Sequence, residues 1–227
     1  MKCQVHFLIA VIILLKGSFV YAQMPGSWLL RTGAITVSPQ VTSGCLSAPD
    51  FSDSPDGCTK AGVSRNTQLG GGITWIMSQH LSLDMPLALP FTHEVSGEGA
   101  MKGSGTIAEI QSLPLTLFPQ YRFFGSRSMF RPYFGLGVTY AYFFNPQGSG
   151  RLTATTNPGG EPTTFTVDSK FIFSPQVGAS LRLYRKFYAD VFYSQAKLRS
   201  RIHMSTGQHL DADLDPQTFG LAVGYAY

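Results

Sequence analysis

Charge is scarce in this 227-residue chain: Asp, Glu, Lys and Arg together make up 13% of it, against about 25% in an ordinary soluble domain. A chain of this size normally needs more charge on its surface, so something other than water is expected to cover part of it. Cysteine is nearly missing too, with three residues in all, which excludes a disulfide-dense scaffold. No segment has the 3.6-residue apolar spacing of a long amphipathic helix. No apolar run approaches the roughly 20 residues of a membrane-spanning helix. Catalytic signatures are also missing: there is no Gly-x-Ser-x-Gly, phosphate loop or paired carboxylate frame. The net charge of +4 does not point to nucleic acid, because no basic cluster with interleaved aromatics is present. No cofactor is expected.

What is present begins with an export signal. Lys2 precedes a nine-residue apolar core from Phe7 to Leu15, and Val20 and Ala22 place small residues at −3 and −1 before Gln23. Residues 1–22 therefore read as a secretory signal peptide and 23–227 as one domain. Removing Lys2 and Lys16 lowers the net charge by two. Cys45 and Cys58 remain in a Ser/Asp/Pro/Gly-rich stretch, and in an exported protein a disulfide between them is the favoured reading. Its loop closure would contribute about 3 kcal/mol in the chain-entropy model. No histidine lies near the pair, which argues against a metal.

Glycine (24), phenylalanine (17) and tyrosine (10) are plentiful, and they fall into a period-two pattern. Eight segments alternate, at about 27–38, 66–77, 81–95, 106–124, 131–144, 170–184, 187–204 and 218–227. The connections alternate as well. Short turns at 78–80, 125–128 and 185–186 separate longer, Gly/Pro/Ser/Thr-rich connections at 39–65, 96–105, 145–169 and 205–217. Long and short in turn is the pattern of an all-β, eight-stranded antiparallel transmembrane β-barrel, with short periplasmic turns and long outer loops. An eight-stranded barrel has an interior just wide enough for side chains, so the bulky rows must face out, toward lipid. Trp28, Trp75, Tyr121, Phe123, Tyr133, Tyr188, Tyr225 and Tyr227 are expected to form an aromatic girdle at the short-turn end. Phe91, Tyr142, Phe143 and Phe144 would form the outer one.

The lean rows carry charges that gather at one height. Arg31, Asp84, Arg122, Arg131, Arg182 and Asp190 fall near the short-turn end on the row assigned to the lumen, where they would form a hydrogen-bonded polar floor. Solvated turn residues are the alternative. Above them the row becomes small and apolar at Pro86, Ala88, Pro90, Pro114, Phe118, Phe192, Ser194 and Ala196. This lining suits a narrow apolar pocket open to the outside, or else a packed core. Pro86, Pro90, Pro114 and Pro119 interrupt the third and fourth strands, where they leave either a local gap or mere kinks. His80 sits in a short turn, and His93, His203 and His209 fall near outer loops. The stretch 209–215 (HLDADLD) lacks the Gly and closing Glu of a calcium loop, so no metal site is expected.

The combination of WLLRTGAITVSP (28–39), NTQLGGGITWIMSQHLSLDMPLALPFTHEV (66–95), LPLTLFPQYRFF (113–124), FRPYFGLGVTYAYFF (130–144) and LDPQTFGLAVGYAY (214–227) resembles the outer membrane protein W family, over nearly the whole mature chain. The resemblance implies a monomeric barrel of the Gram-negative outer membrane, in contact with its lipid and lipopolysaccharide. It also implies a hydrophobic channel for passive uptake of small hydrophobic molecules. Pro86 and Ser194 depart from the bulky apolar residues that the family carries at those places. The closing strand, with Phe219, Tyr225 and a final Tyr227, resembles the C-terminal signal read by the barrel-assembly machinery. The alternative is an adhesion or structural barrel that works through its outer loops around a non-conducting interior. An enzyme using His203 or His209 and a soluble lipocalin are weaker readings, the second opposed by the lean interior row.

Overall fold

The computed structural model describes residues 23–43, 59–99, 103 and 105–227. The signal-peptide segment and the Cys45–Cys58 pair lie outside the described residues.

Fourteen strands and one short helix make up the described chain. In order they are β1 (Trp28–Ser38), β2 (Thr42–Ser43), β3 (Thr59–Val63), β4 (Asn66–Ile76), β5 (Leu81–Ala88), β6 (Phe91–Gly99) and β7 (Thr106–Arg122). Then come β8 (Phe130–Gly148), α1 (Gly150–Thr156), β9 (Phe165–Val167), β10 (Lys170–Tyr184), β11 (Phe187–Gln195), β12 (Arg199–Met204), β13 (His209–Asp213) and β14 (Gln217–Ala226). With β5 and β6 counted as one interrupted strand, the antiparallel order β1, β4, β5/β6, β7, β8, β10, β11, β14 returns to β1 and closes an eight-stranded barrel. The last residue completes the seam: Tyr227 N–H donates to the Trp28 carbonyl at 2.8 Å, and Trp28 N–H donates to the Tyr227 carbonyl at 3.1 Å. Closure leaves no edge strand in the wall. Among the described residues no helix is long and apolar enough to cross a membrane.

The outward rows are bulky, apolar and bare: Leu69, Phe171 and Phe173 are 65%, 74% and 70% exposed. Trp28 stacks on Trp75, and Tyr121, Phe123 and Phe134 pack together at the short-turn end. Tyr140, Tyr142, Phe144 and Phe171 do so toward the loops. Beyond the barrel, β12 and β13 continue the walls and join β2 and β9 in a separate four-stranded sheet. On its exposed face Arg199 pairs with Asp213 and Arg201 with Asp211, each at 2.7 Å. The hydrogen bonds from Arg201 and Arg199 hold the Asp211 and Asp213 carboxyls below the usual carboxylate range.

Four residues expected in the girdles turn inward instead: Tyr133 and Tyr188 at the short-turn end, Phe91 and Phe143 toward the loops. Alternation outranks residue type here. Arg131 and Asp190 point into the lumen, so Tyr133 and Tyr188, two residues away on the same strands, must do so as well. The interior accommodates them because glycines lie opposite. Tyr133 covers Gly178, Phe192 covers Gly220, Tyr188 covers Gly224, and Phe118 lies against Gly137. A Cβ on any of these glycines would run into the ring. Large side chains on one strand thus occupy space vacated by the next, which keeps a narrow barrel filled at interior density.

Candidate functional site

At the short-turn end the lumen is closed by polar side chains. Arg31 from β1 donates through Nη2 to Asp84 Oδ1 of β5 and through Nη1 to Asp190 Oδ1 of β11, both at 2.5 Å. Thr74 Oγ1 donates to Asp84 at 2.6 Å, and Tyr133 OH donates to Asp190 at 3.0 Å. Ser180 Oγ donates to the second Asp190 oxygen at 2.6 Å and accepts from Arg122 Nη1 at 3.0 Å, linking the triad to its neighbour. Arg122 also donates to Ser82 and Gln120, and its guanidinium lies 4.6 Å over the Tyr133 ring. Arg131 donates to Gln23 Oε1 at 3.0 Å and to the Gln79 carbonyl. Five charged side chains on five strands therefore meet in one buried layer; alternation turns each of them inward, and the stagger of the strands brings them to one height.

Arg182 does not join them. It is half-buried and donates to the Arg127 carbonyl at 2.8 Å, one step below the layer at the mouth of the barrel. A register shift between Arg182 and Tyr184 marks that end of β10. Parity placed Arg182 on the right row, but row alone does not set height. Gln23, by contrast, gave no signal in the sequence. It is 3% exposed, with φ of +69°, and its side-chain oxygen accepts from both Arg131 and Arg122. The residue following the expected export signal thus closes the floor from below.

Above the floor is a cavity of about 140 Å³. Pro86, Ala88, Pro114, Phe118, Phe192, Ser194 and Ala196 all line it, together with Ile35, Val37, Phe91 and Phe143. Val167, Ile202 and Ala212 of the outer sheet carry the apolar lining upward. Pro90 does not line it. Leu89 and Pro90 are both exposed, and between them the inward row passes from even residues (Ser82, Asp84, Pro86, Ala88) to odd ones (Phe91, His93, Val95). Proline has no N–H for the ladder, and the extra residue shifts the face of everything beyond it. The same slip carries His93 from the outer loops into the cavity wall, 3% exposed. There Nε2 meets Ser112 Oγ at 3.1 Å and Nδ1 meets the Ser64 carbonyl at 2.8 Å.

The slip also interrupts the ladder of the wall. The β5 ladder to β7 ends at Asp84↔Phe118, and the β6 ladder resumes at Phe91↔Ser112. Between these pairs, residues 85–90 face residues 113–117 without a ladder, six against five. Each side remains anchored on its other neighbour, β5 on β4 and β7 on β8. Pro86, Pro90 and Pro114 lie inside this unpaired stretch, and Pro119 borders it.

His80 Nδ1 donates to the Arg122 carbonyl at 2.9 Å in a short turn, and His203 lies 3.7 Å from Asp168. Among the described residues no group of three or more His, Cys, Asp or Glu side chains is arranged to hold a metal.

The model of the OmpW family matches residues 24–227, almost the entire barrel and its outer sheet. This chain belongs to the OmpW family. It is 32% identical over 227 residues to outer membrane protein W of Salmonella typhimurium, covering 96% of each chain. To outer membrane protein W of Vibrio cholerae it is 28% identical over 223 residues, covering 96% of this chain and 97% of the other. In three dimensions it is similar to the crystal structure of the outer membrane protein OprG from Pseudomonas aeruginosa, with a TM-score of 0.80 at 24% identity, over 92% of this chain and 99% of that one. Like its OmpW relatives, the chain is a bacterial outer-membrane barrel and not an enzyme.

Proposed function

We propose that this OmpW-family barrel passively takes up small hydrophobic molecules, which enter the cavity from the outer loops and leave sideways into the membrane between β5/β6 and β7. The cavity carries this reading: its wall is mostly apolar from Phe118 up to the outer sheet, its polar residues isolated among apolar ones, whereas an ion pore needs a continuous polar lining. The charged layer beneath blocks straight passage toward the periplasm. The unpaired stretch at 85–90 and 113–117 opens beside Pro86 and Ala88, which line the cavity, so a solute resting there meets the weakest part of the wall. The barrel acts as a monomer surrounded by lipid and lipopolysaccharide.

The test is uptake of a panel of hydrophobic compounds by cells with and without the protein. Cells carrying it accumulate some of the panel faster, and Ala88→Trp, which fills the cavity beside the unpaired stretch, brings the rate back to background. Heat-modifiable migration of that variant on a gel confirms that the barrel still forms. Equal uptake across the panel with and without the protein would leave the adhesion or structural reading, in which the ordered outer sheet is the working surface.

The closing strand supports a second proposal, that the final aromatics address the chain to the barrel-assembly machinery. Tyr227 is exposed and contributes two backbone hydrogen bonds at the seam, each ordinarily worth about 1 kcal/mol net. Deleting it is expected to lower the amount of inserted barrel several-fold in cells while costing the refolded protein only that modest stability. Unchanged membrane levels would remove the proposal.

A further inference from the structure

Two glutamines separate the charged floor from the apolar cavity, and the direction of their hydrogen bonds is imposed from below. A guanidinium can only donate, and Arg122 Nη2 donates to Gln120 Oε1 at 3.0 Å, an oxygen that also accepts from Ser82 Oγ at 3.0 Å. Gln120 is thereby oriented with its amide nitrogen turned away, and Nε2 donates to Gln176 Oε1 at 2.6 Å. Gln176 is oriented in turn. Flipping it would set one NH₂ against another, so its own Nε2 is left over. That nitrogen is buried without a partner, on a side chain only 1% exposed.

Gln176 does not itself line the cavity but lies one step beneath the lining at its base. The cross-strand partner of Gln176 is Ser194, and the next inward residue on its own strand is Ser174; both line the cavity. Ser174 is already bonded to Thr139, and Thr139 to Thr116, each at 2.8 Å. The floor beneath holds three guanidinium groups, Arg31, Arg122 and Arg131, against the two carboxylates Asp84 and Asp190, an excess of one positive charge. An oriented, unsatisfied donor above a net positive layer is complementary to an acceptor, most strongly to an anionic one.

We propose that the base of this cavity receives the hydrogen-bond-accepting head of an amphipathic molecule, a carboxylate or carbonyl at the end of an apolar body, with the body lying along Phe118 and Phe192 toward the loops. The proposal rests on the uptake reading above and narrows its substrate class from small hydrophobic molecules in general to head-bearing ones.

The experiment uses isotope-labelled protein in phosphatidylcholine nanodiscs, titrated separately with octanoate and with octane while the side-chain amide signal of Gln176 and the methyl signals of Ile35 and Ile172 are followed. Octanoate is expected to move both the amide and the methyls, and octane the methyls alone. Gln176→Glu keeps an acceptor for Gln120 and removes the donor, and Gln176→Met removes both. Each is expected to weaken octanoate at least about tenfold, the loss of one hydrogen bond to a charged group, while octane binding stays unchanged. Octanoate affinity unaltered in both variants, or an amide that responds equally to the two probes, overturns the proposal and leaves the cavity reading standing. Methyl signals that respond to neither probe overturn both.

Discussion

Arg31→Met destabilises the barrel by about 3–5 kcal/mol, the cost of removing one partner from a buried ionic group. The arginine sits between Asp84 and Asp190 with both distances at 2.5 Å, and all three side chains are buried. Without it, two carboxylates share a layer with no cation between them. Thr74, Ser180 and Tyr133 still donate, but hydroxyls do not neutralise charge. The loss belongs to the uncompensated anions rather than to the ion pairs themselves. Adding Asp84→Asn and Asp190→Asn to Arg31→Met should therefore recover most of it. Urea unfolding in lipid vesicles measures both variants, and an Arg31→Met barrel as stable as the parent would mean that the layer is solvated.

Gly71→Ala has a comparable or larger effect for a steric reason. Gly70, Gly71 and Gly72 lie where β4 crosses the Arg31 region of β1. A Cβ on Gly71 would be driven into the backbone carbonyl of Arg31 and come within 2.9 Å of Thr32 Cα, while a Cβ on Gly72 would meet Arg31 Nη2 at 2.7 Å. Backbone atoms cannot turn aside as a side-chain end can, so the methyl is admitted only by parting β1 from β4. A lost ladder segment facing lipid has no water to replace its partners. We expect most of the Gly71→Ala protein to fail to reach the heat-modifiable folded form. Gly150→Ala is the control. Nothing lies within 4 Å of the Cβ it would add, its φ is not left-handed, and it opens α1, so it is expected to be neutral or slightly stabilising. Equal yields of the two variants would remove the steric account.

Much of this architecture was legible in the sequence because lipid leaves few choices. Eight alternating segments with short and long connections permit little but a closed barrel, and parity alone brings Arg31, Asp84, Arg122, Arg131 and Asp190 into one interior. The misreadings came where a second rule competed with parity. Aromatic type points Tyr133 and Tyr188 outward, although Arg131 and Asp190 already fix their face; the signal is the run of glycines at Gly178, Gly220 and Gly224. Strict alternation puts Pro90 inside and Phe91 outside, and spacing leaves His93 near the outer loops, because one unpaired residue reverses the faces and only Pro86 and Pro90 hint at the break. Arg182 shows the remaining gap: alternation gives the side of the wall, while depth in the barrel depends on stagger between strands, which spacing along one strand does not encode. Gln23 and the orientation of Gln176 depend on contacts between distant strands and have no local signature.

The stretch where six residues face five has a mechanical meaning as well. A closed barrel is a hoop, and a hoop under tension yields at its weakest joint. The other joints are bonded over most of their length, and the break in the β7–β8 ladder spans only Phe118 and Pro119, so the elastic softness of the circumference is greatest between residues 85–90 and 113–117. Lateral pressure from the surrounding lipid bears on that joint before any other. If solutes leave sideways as proposed, bilayer thickness and packing would be inputs to how often the wall parts, and a membrane that stiffens with its composition would set the breathing rate of the barrel without touching a single side chain inside it.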